Sequence, residues 1–224
     1  MKTIVFSDTH LHRDFDLKKF NFLKKIIQKA DKVIIAGDFW EATLMSFDEF
    51  LNSEWNQLFP LLKKKKTVYV YGNHDKKIKS DKRVFLFSNI QTDQYAFTEN
   101  KKKFIVIHGD KFASKIAQVK AVQPFRNLFY TKFFIQIIHT DTEKYLTKIF
   151  GKQILQILFK YLNHKIKKSI SKSNFKSTIF ICGHTHAAEI DLKNNFANTG
   201  IIRHGVGQYI EIDNGLVHLK QETY

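Results

Sequence analysis

The sequence predicts an α/β fold interrupted once. Five short apolar runs rich in β-branched and aromatic residues each stop at turn-prone residues. Amphipathic helical stripes separate the first three of them. A single stretch, residues 111–176, breaks this alternation with a long basic and aromatic-rich pattern.

In chain order, Thr3 to Phe6 reads as the first strand and runs into Ser7-Asp8. Leu17, Phe20, Leu23, Ile26 and Ile27 then form a stripe at helical spacing through a lysine-rich segment. Val33 to Ala36 is the second strand, ending at Gly37-Asp38, and Phe47, Phe50, Leu51, Leu58 and Leu62 make the second stripe. Val68 to Tyr71 leads into Gly72-Asn73-His74-Asp75, and Phe104 to Ile107 into His108-Gly109-Asp110. Thr178 to Cys182 leads into Gly183-His184-Thr185-His186. Near the end, Gln208 to Ile212 and Leu216 to Leu219 flank Asp213-Asn214-Gly215, a hairpin signal because Asn-Gly supplies positive φ angles. The near-continuous apolarity of the five runs predicts strands buried on both faces, under helices or a second sheet. Residues 1–110 and 177–224 read as the core. Residues 111–176, punctuated only by Pro124 and Gly151, read as a helical insertion of two or three helices between two strands.

Composition narrows the function classes. With 224 residues, 43% hydrophobic and 26% charged, the chain is long enough for one sizeable core and has the balance of a soluble globular protein. One cysteine, Cys182, excludes an internal disulfide and a cysteine-built zinc site, and it points to a reducing compartment. No window reaches the roughly 18 apolar residues of a membrane span. The expected location is cytoplasmic, with peripheral attachment to the inner face of the membrane as an option. The net charge of +16 is local, since residues 111–176 hold 14 Lys and Arg against 2 Asp and Glu. Such a surface attracts nucleic acid, nucleotides or an anionic membrane.

Chemistry is concentrated where the strands end. Asp8 and His10, Asp38, Asn73, His108, and His184 with His186 all stand at strand exits, the edge where α/β proteins place their sites. Oxygen and nitrogen donors without a thiolate suit one or two divalent ions, Mn, Fe, Zn or Co. On an extended chain, Asp-x-His and His-x-His each place both side chains on the same side. A lone carboxylate such as Asp38 has two oxygens and can bridge two ions. Two ions about 3.5–4 Å apart polarise a phosphoryl group and lower the pKa of a bridging water. The other histidines, His12, His139, His164, His204 and His218, are expected to be surface or packing residues.

These five blocks, Asp8-x-His10, Gly37-Asp38, Gly72-Asn73-His74-Asp75, His108 and Gly183-His184-Thr185-His186, resemble in order those of the calcineurin-like metallophosphoesterases. The resemblance implies a four-layer α/β/β/α sandwich and two divalent metal ions, with Mn preferred. It implies that Asp8, His10, Asp38 and His186 hold one ion, and that Asp38, Asn73, His108 and His184 hold the other. It further implies that His74 stabilises the transition state or protonates the leaving oxygen, with Asp75 orienting its ring, during attack of a metal-bridging hydroxide on a phosphodiester or pyrophosphate. The placement of the insertion, the Gly37-Asp38-Phe39-Trp40-Glu41 block and Pro124-Phe125-Arg126 are similar to the UDP-2,3-diacylglucosamine hydrolases, peripheral enzymes of lipid A assembly. That likeness implies a lid lined for acyl chains, with Arg126 clamping a phosphate. It departs at His74, where those hydrolases usually carry Arg. The alternative reading is a nuclease or nucleotide phosphodiesterase whose basic insertion tracks a phosphate backbone. A non-enzymatic metal-binding scaffold is the third, disfavoured by the intact Gly-Asn-His-Asp block.

Overall fold

Period-two burial organises the chain. The computed structural model describes residues 1–111, 160–171 and 177–224. Among them lie twelve strands in two sheets. The first sheet contains β1 (Lys2–Phe6), β2 (Lys32–Ala36), β3 (Val68–Val70), β4 (Ile90–Thr92), β10 (Ile202–Arg203), β11 (Val206–Asp213) and β12 (Leu216–Thr223). The second contains β5 (Gln94–Glu99), β6 (Lys102–Ile107), β7 (Thr178–Cys182), β8 (Glu189–Asp191) and β9 (Phe196–Asn198), in the order β5-β6-β7-β9-β8. β1 to β4 run parallel to one another, and so do β6, β7 and β9.

Alternate residues of each central strand face different cores. Ile4, Phe6, Val33, Ile35 and Tyr69 pack with helix α1 (Leu17–Lys29), α2 (Phe47–Asn52) and α3 (Phe59–Lys64). Their neighbours Val5, Ile34, Ala36, Val68 and Val70 face Phe104, Val106, Ile179 and Ile181 across the inter-sheet core. The outer face of the second sheet, through Ile105, Ile107 and Phe180, packs on Ile166 and Ile170 of the helical residues 160–171. The order is therefore helices, sheet, sheet, helix. The expected α/β fold in four layers is what the residues build, and both covers left open by the sequence are used: each sheet has helices on one face and the other sheet on its second.

Local chemistry fixes the boundaries. Asp16 caps α1 by accepting from the Lys19 N–H, and Ser46 with Glu49 closes a capping box on α2. The second stripe is three pieces in the fold: α2 ends at Asn52, a 3-10 turn follows at Glu54–Leu58, and Pro60, which cannot continue a helix, opens α3 behind it. The hairpin appears as expected: Asp213 pairs Leu216, and Asn214 and Gly215 between them have φ of 50° and 75°.

Of the expected insertion, residues 112–159 and 172–176 lie outside the described residues, and Arg126 with them. The segment connects β6 to β7, which are adjacent and parallel.

Candidate metal centre

The five ligand-bearing blocks follow β1, β2, β3, β6 and β7, so they come from two sheets rather than one. Short backbone bonds tie the loops together: Asp8 N–H donates to Gly37 (3.1 Å), His10 N–H to Asp38 (3.0 Å) and Gly183 N–H to His108 (3.0 Å). The expected period-two argument for Asp-x-His and His-x-His is corrected here. Asp8, His10, Asp38, His184 and His186 have φ of 51°, 43°, 52°, 67° and 59°, so their side chains converge through left-handed turns and not through strand alternation. Asp and His tolerate that region better than most residues, yet each such position costs about 1–3 kcal/mol. Five of them at one spot is strain concentrated where side chains must meet.

Each carboxylate commits one oxygen to the scaffold. Asp8 Oδ2 accepts from the Ser7 hydroxyl and from the His184 N–H (2.9 Å), and Asp38 Oδ1 accepts from the His74 N–H (2.8 Å). The other oxygens face histidines. Asp8 Oδ1 lies 3.3 Å from His186 Nε2 and 3.9 Å from His10 Nε2. Asp38 Oδ2 lies 3.2 Å from His108 Nε2 and 3.8 Å from His10 Nε2. Asn73 Oδ1 is 2.9 Å from His108 Nε2 and 2.8 Å from His184 Nδ1. Asp38 Oδ2 thus stands between two donor groups, Asp8-His10-His186 and Asn73-His108-His184.

The donor set fits metal ions. Glu41 Oε2, 2.8 Å from His10 Nδ1, requires that nitrogen to donate, which leaves Nε2 with a lone pair. The Ala36 carbonyl does the same for His108 through Nδ1 (2.9 Å). Asp8 Oδ1 and His10 Nε2 are both fully buried without a hydrogen bond. Two facing acceptors with nothing between them are costly in a protein interior, and a divalent cation satisfies both. Asp8-His10-His186 and Asp38-His108-His184 each bring three ligand atoms within 4.8 Å of one another.

Electrostatics agrees. Burial opposes the charge on Asp8 and Asp38, yet His186 and His108 respectively hold both carboxyls below the usual range. Burial lowers His10 and His184 to about 4, whereas Asp38 overcomes burial and lifts His108 to about 10. Without an ion, the raised pKa favours a proton on His108 Nε2 facing Asp38 Oδ2, and an ion bound there would displace it.

Around His74 the assigned roles change. Asp75 does not orient the ring: its Oδ1 accepts from the N–H of Gly72 (2.7 Å) and Asp38 (3.1 Å), and its Oδ2 from Phe39 (2.6 Å). It fastens the third block to the second. Glu41 meets the ring instead, with Oε1 2.8 Å from His74 Nδ1. One buried carboxylate therefore positions both His10 and His74. Sequence reasoning missed this residue, although it stands three places after Asp38 in a quoted block. Replacing Glu41 with Gln should cut metal affinity and turnover by about 10–100-fold each, the range for groups behind metal ligands. Metal titration alongside steady-state kinetics measures both, and unaltered values would deny Glu41 that role.

The glycines of these blocks make room for the ligands. A Cβ on Gly183 would overlap Ser7 Oγ and Asp8 Oδ2. Gly183→Ala should therefore destabilise the fold by about 1–3 kcal/mol and displace Asp8. Thermal unfolding with and without metal would register this as a lowered midpoint and a smaller metal-induced rise. Beside His108 opens a groove of about 630 Å³, whose charged lining is Lys76, Lys77 and Lys111 with Asp93 and Asp110.

With this geometry in place, comparison identifies relatives. The family described as calcineurin-like phosphoesterase matches residues 1–188. No curated protein matches. Among solved structures, the chain is similar to a novel archaeal phosphodiesterase, at 18% identity over 100% of both chains with a TM-score of 0.52. It is also similar to Yfce, a phosphoesterase from E. coli, at 13% identity over 100% of this chain and 99% of that one, with a TM-score of 0.50. At these identities both likenesses concern the fold.

Proposed function

The chain belongs to the calcineurin-like phosphoesterase family and is a metal-dependent phosphoester hydrolase, and from that premise we propose that it cleaves a phosphodiester or pyrophosphate bond at a two-ion centre. Asp8, His10, Asp38 and His186 would hold the first ion, and Asp38, Asn73, His108 and His184 the second. The observation that carries this reading is the position of Asp38 Oδ2, 3.8 Å from His10 Nε2 and 3.2 Å from His108 Nε2. Bound divalent ions, Mn preferred, polarise the phosphoryl group and supply an activated water.

The chain's own residues do the rest. Glu41 accepts from His74 Nδ1–H and so fixes the tautomer and the ring plane. Burial opposes the charge on His74, but Glu41, Asp38 and Asp75 together outweigh it and raise the pKa, which favours a proton at the opposite nitrogen, Nε2. From there His74 donates to the leaving oxygen. Asp75, through its three backbone bonds, keeps the third block in register with the second.

For the substrate we favour a nucleotide-linked lipid such as UDP-2,3-diacylglucosamine, supported by the Gly37-Asp38-Phe39-Trp40-Glu41 block and the basic, aromatic-rich segment 111–176. Its lysines would meet an anionic membrane surface, and Arg126 would bind a substrate phosphate. No helix among the described residues is long and apolar enough to cross a membrane. The second reading, a nuclease or nucleotide phosphodiesterase, is favoured by Lys76 and Lys77 along the groove at His108, where Lys111 is paired with Asp93. A Mn-supplemented assay, run in parallel on UDP-2,3-diacylglucosamine in micelles and on single- and double-stranded DNA, tests both. UMP release with DNA intact supports the first. DNA cleavage with the lipid ignored replaces it with the second.

A further inference from the structure

A second cavity has a volume of about 500 Å³. Its lining includes His12, Lys19, Trp55, Arg203, His204 and Tyr224. Arg203 closes β10, and the preceding residue, Ile202, donates its N–H to the Asp8 carbonyl (3.4 Å). His12 stands two places beyond His10. Arg203 thus follows directly on a residue bound to the Asp8 backbone, and the cavity shares no lining residue with the groove at His108.

Arg203 is 9% exposed and Lys19 is 7% exposed. Among the described residues, the Arg203 side chain makes no hydrogen bond or ion pair, and it is not one of those with a partner elsewhere. Lys19 Nζ donates to the Thr9 carbonyl and has no carboxylate at ion-pair distance among the described residues. Two acids, Asp14 and Asp16, also line the cavity; neither forms an ion pair with Arg203 or Lys19 among the described residues, although Asp16 favours the charge on Lys19 from a distance. The Asp14 side chain is 95% exposed and lies 3.7 Å from His12, while Asp16 Oδ1 accepts from the backbone N–H of Lys19 (3.0 Å). Tyr224, in the same lining, has a buried hydroxyl without a hydrogen-bond partner. Burial and then Arg203 push Lys19 down to about 7. Arg203 and Lys19 line one cavity and repel each other, so a group of opposite sign entering it would relieve both. A planar guanidinium with an ammonium beside it is the donor set that grips a tetrahedral or carboxylate oxyanion.

We propose that Arg203 and Lys19 form an oxyanion subsite that binds a second anionic group of the substrate, a phosphate or carboxylate other than the one cleaved. The binding site rests on its own geometry, whereas its service to hydrolysis rests on the phosphoesterase reading above.

The first test uses inorganic phosphate and chelator-treated protein, so that the metal centre contributes nothing. Calorimetry should find one phosphate per chain, weakened at least 10-fold in Arg203→Gln and partly restored in Arg203→Lys. In the wild type, phosphate should also protect Arg203 from phenylglyoxal, read by peptide mass spectrometry, which needs no variant to fold. Absence of phosphate binding, or binding without protection of Arg203, overturns the subsite. The second test compares metal-loaded enzyme on two matched esters: thymidine 5′-(p-nitrophenyl phosphate) with and without a 3′-phosphate. The wild type should show a KM at least 10-fold lower for the 3′-phosphorylated ester, and Arg203→Gln should lose that preference. Equal KM values in the wild type overturn the role in substrate binding. If neither ester nor any other phosphoester is hydrolysed, the phosphoesterase reading fails, and the phosphate titration still decides the subsite.

Discussion

Replacing Asp38 with asparagine should abolish metal loading and turnover together. Asp38 is 2% exposed, and its two oxygens have separate duties. Oδ1 accepts from the His74 N–H, a bond that an amide carbonyl can keep. Oδ2 faces His108 at 3.2 Å and His10 at 3.8 Å, and there asparagine presents an NH2 group that cannot ligate a cation. Both donor groups would lose the atom they share, so the loss of affinity should exceed the 10–100-fold typical of groups behind the ligands. Metal content per chain after dialysis measures the first effect, and hydrolysis of a chromogenic phosphodiester the second. The fold should survive, because the bond that aligns the third block is retained, and far-UV circular dichroism verifies that. A variant still carrying two ions per chain would remove Asp38 from the bridging position.

That expectation was readable in the chain before any coordinates, and the reason is instructive. A strand buried on both faces, such as Val33 to Ala36, has no polar residue to disguise it, so its end is marked by the first residue that cannot be buried cheaply. In this protein a proposed metal ligand follows within two residues each time. Less of the sheet arrangement was legible. β6 and β7 are as apolar as β1 and β2, so nothing in their composition says that they belong to a second sheet. β4, β8, β9 and β10 are only two or three residues long, and β5 alternates between exposed and half-buried positions. Their existence depends on neighbours far away in sequence.

The site divides in the same way. The residue types at the strand ends carry the donor chemistry and could be read directly. Which atom turns where is a tertiary property. Left-handed φ angles at five ligand positions, and not strand alternation, bring the side chains together. The exchange of roles between Asp75 and Glu41 has the same origin. Both are carboxylates close in sequence to other blocks, but Asp75 is surrounded by the N–H groups of Gly72, Asp38 and Phe39, whereas Glu41 has two imidazoles in reach. Arg203 carries no motif, and only its burial without a partner distinguishes it.

His74→Ala should separate binding from chemistry. In the proposed centre His74 is not a ligand: its Nδ1 is taken by Glu41, and its ring meets the His10 ring edge-on at 4.7 Å between centroids. Removing it leaves all seven proposed ligands, and the His74 backbone N–H still binds Asp38 Oδ1. Two ions per chain should therefore remain. Turnover should fall by about 10²–10⁴-fold, the contribution of a positioned general acid or base. The size of the loss should track the leaving group, since a p-nitrophenolate needs no proton to depart and an alkoxide does. An ester with a good leaving group should lose about 10-fold or less, and an unactivated diester the full range. A uniform loss across leaving groups would instead assign His74 to the phosphoryl oxygens, as a hydrogen-bond donor in the transition state. Loss of one ion would mean that the alanine disturbs Glu41 and through it His10, and the metal content of Glu41→Gln, measured alongside, identifies that path.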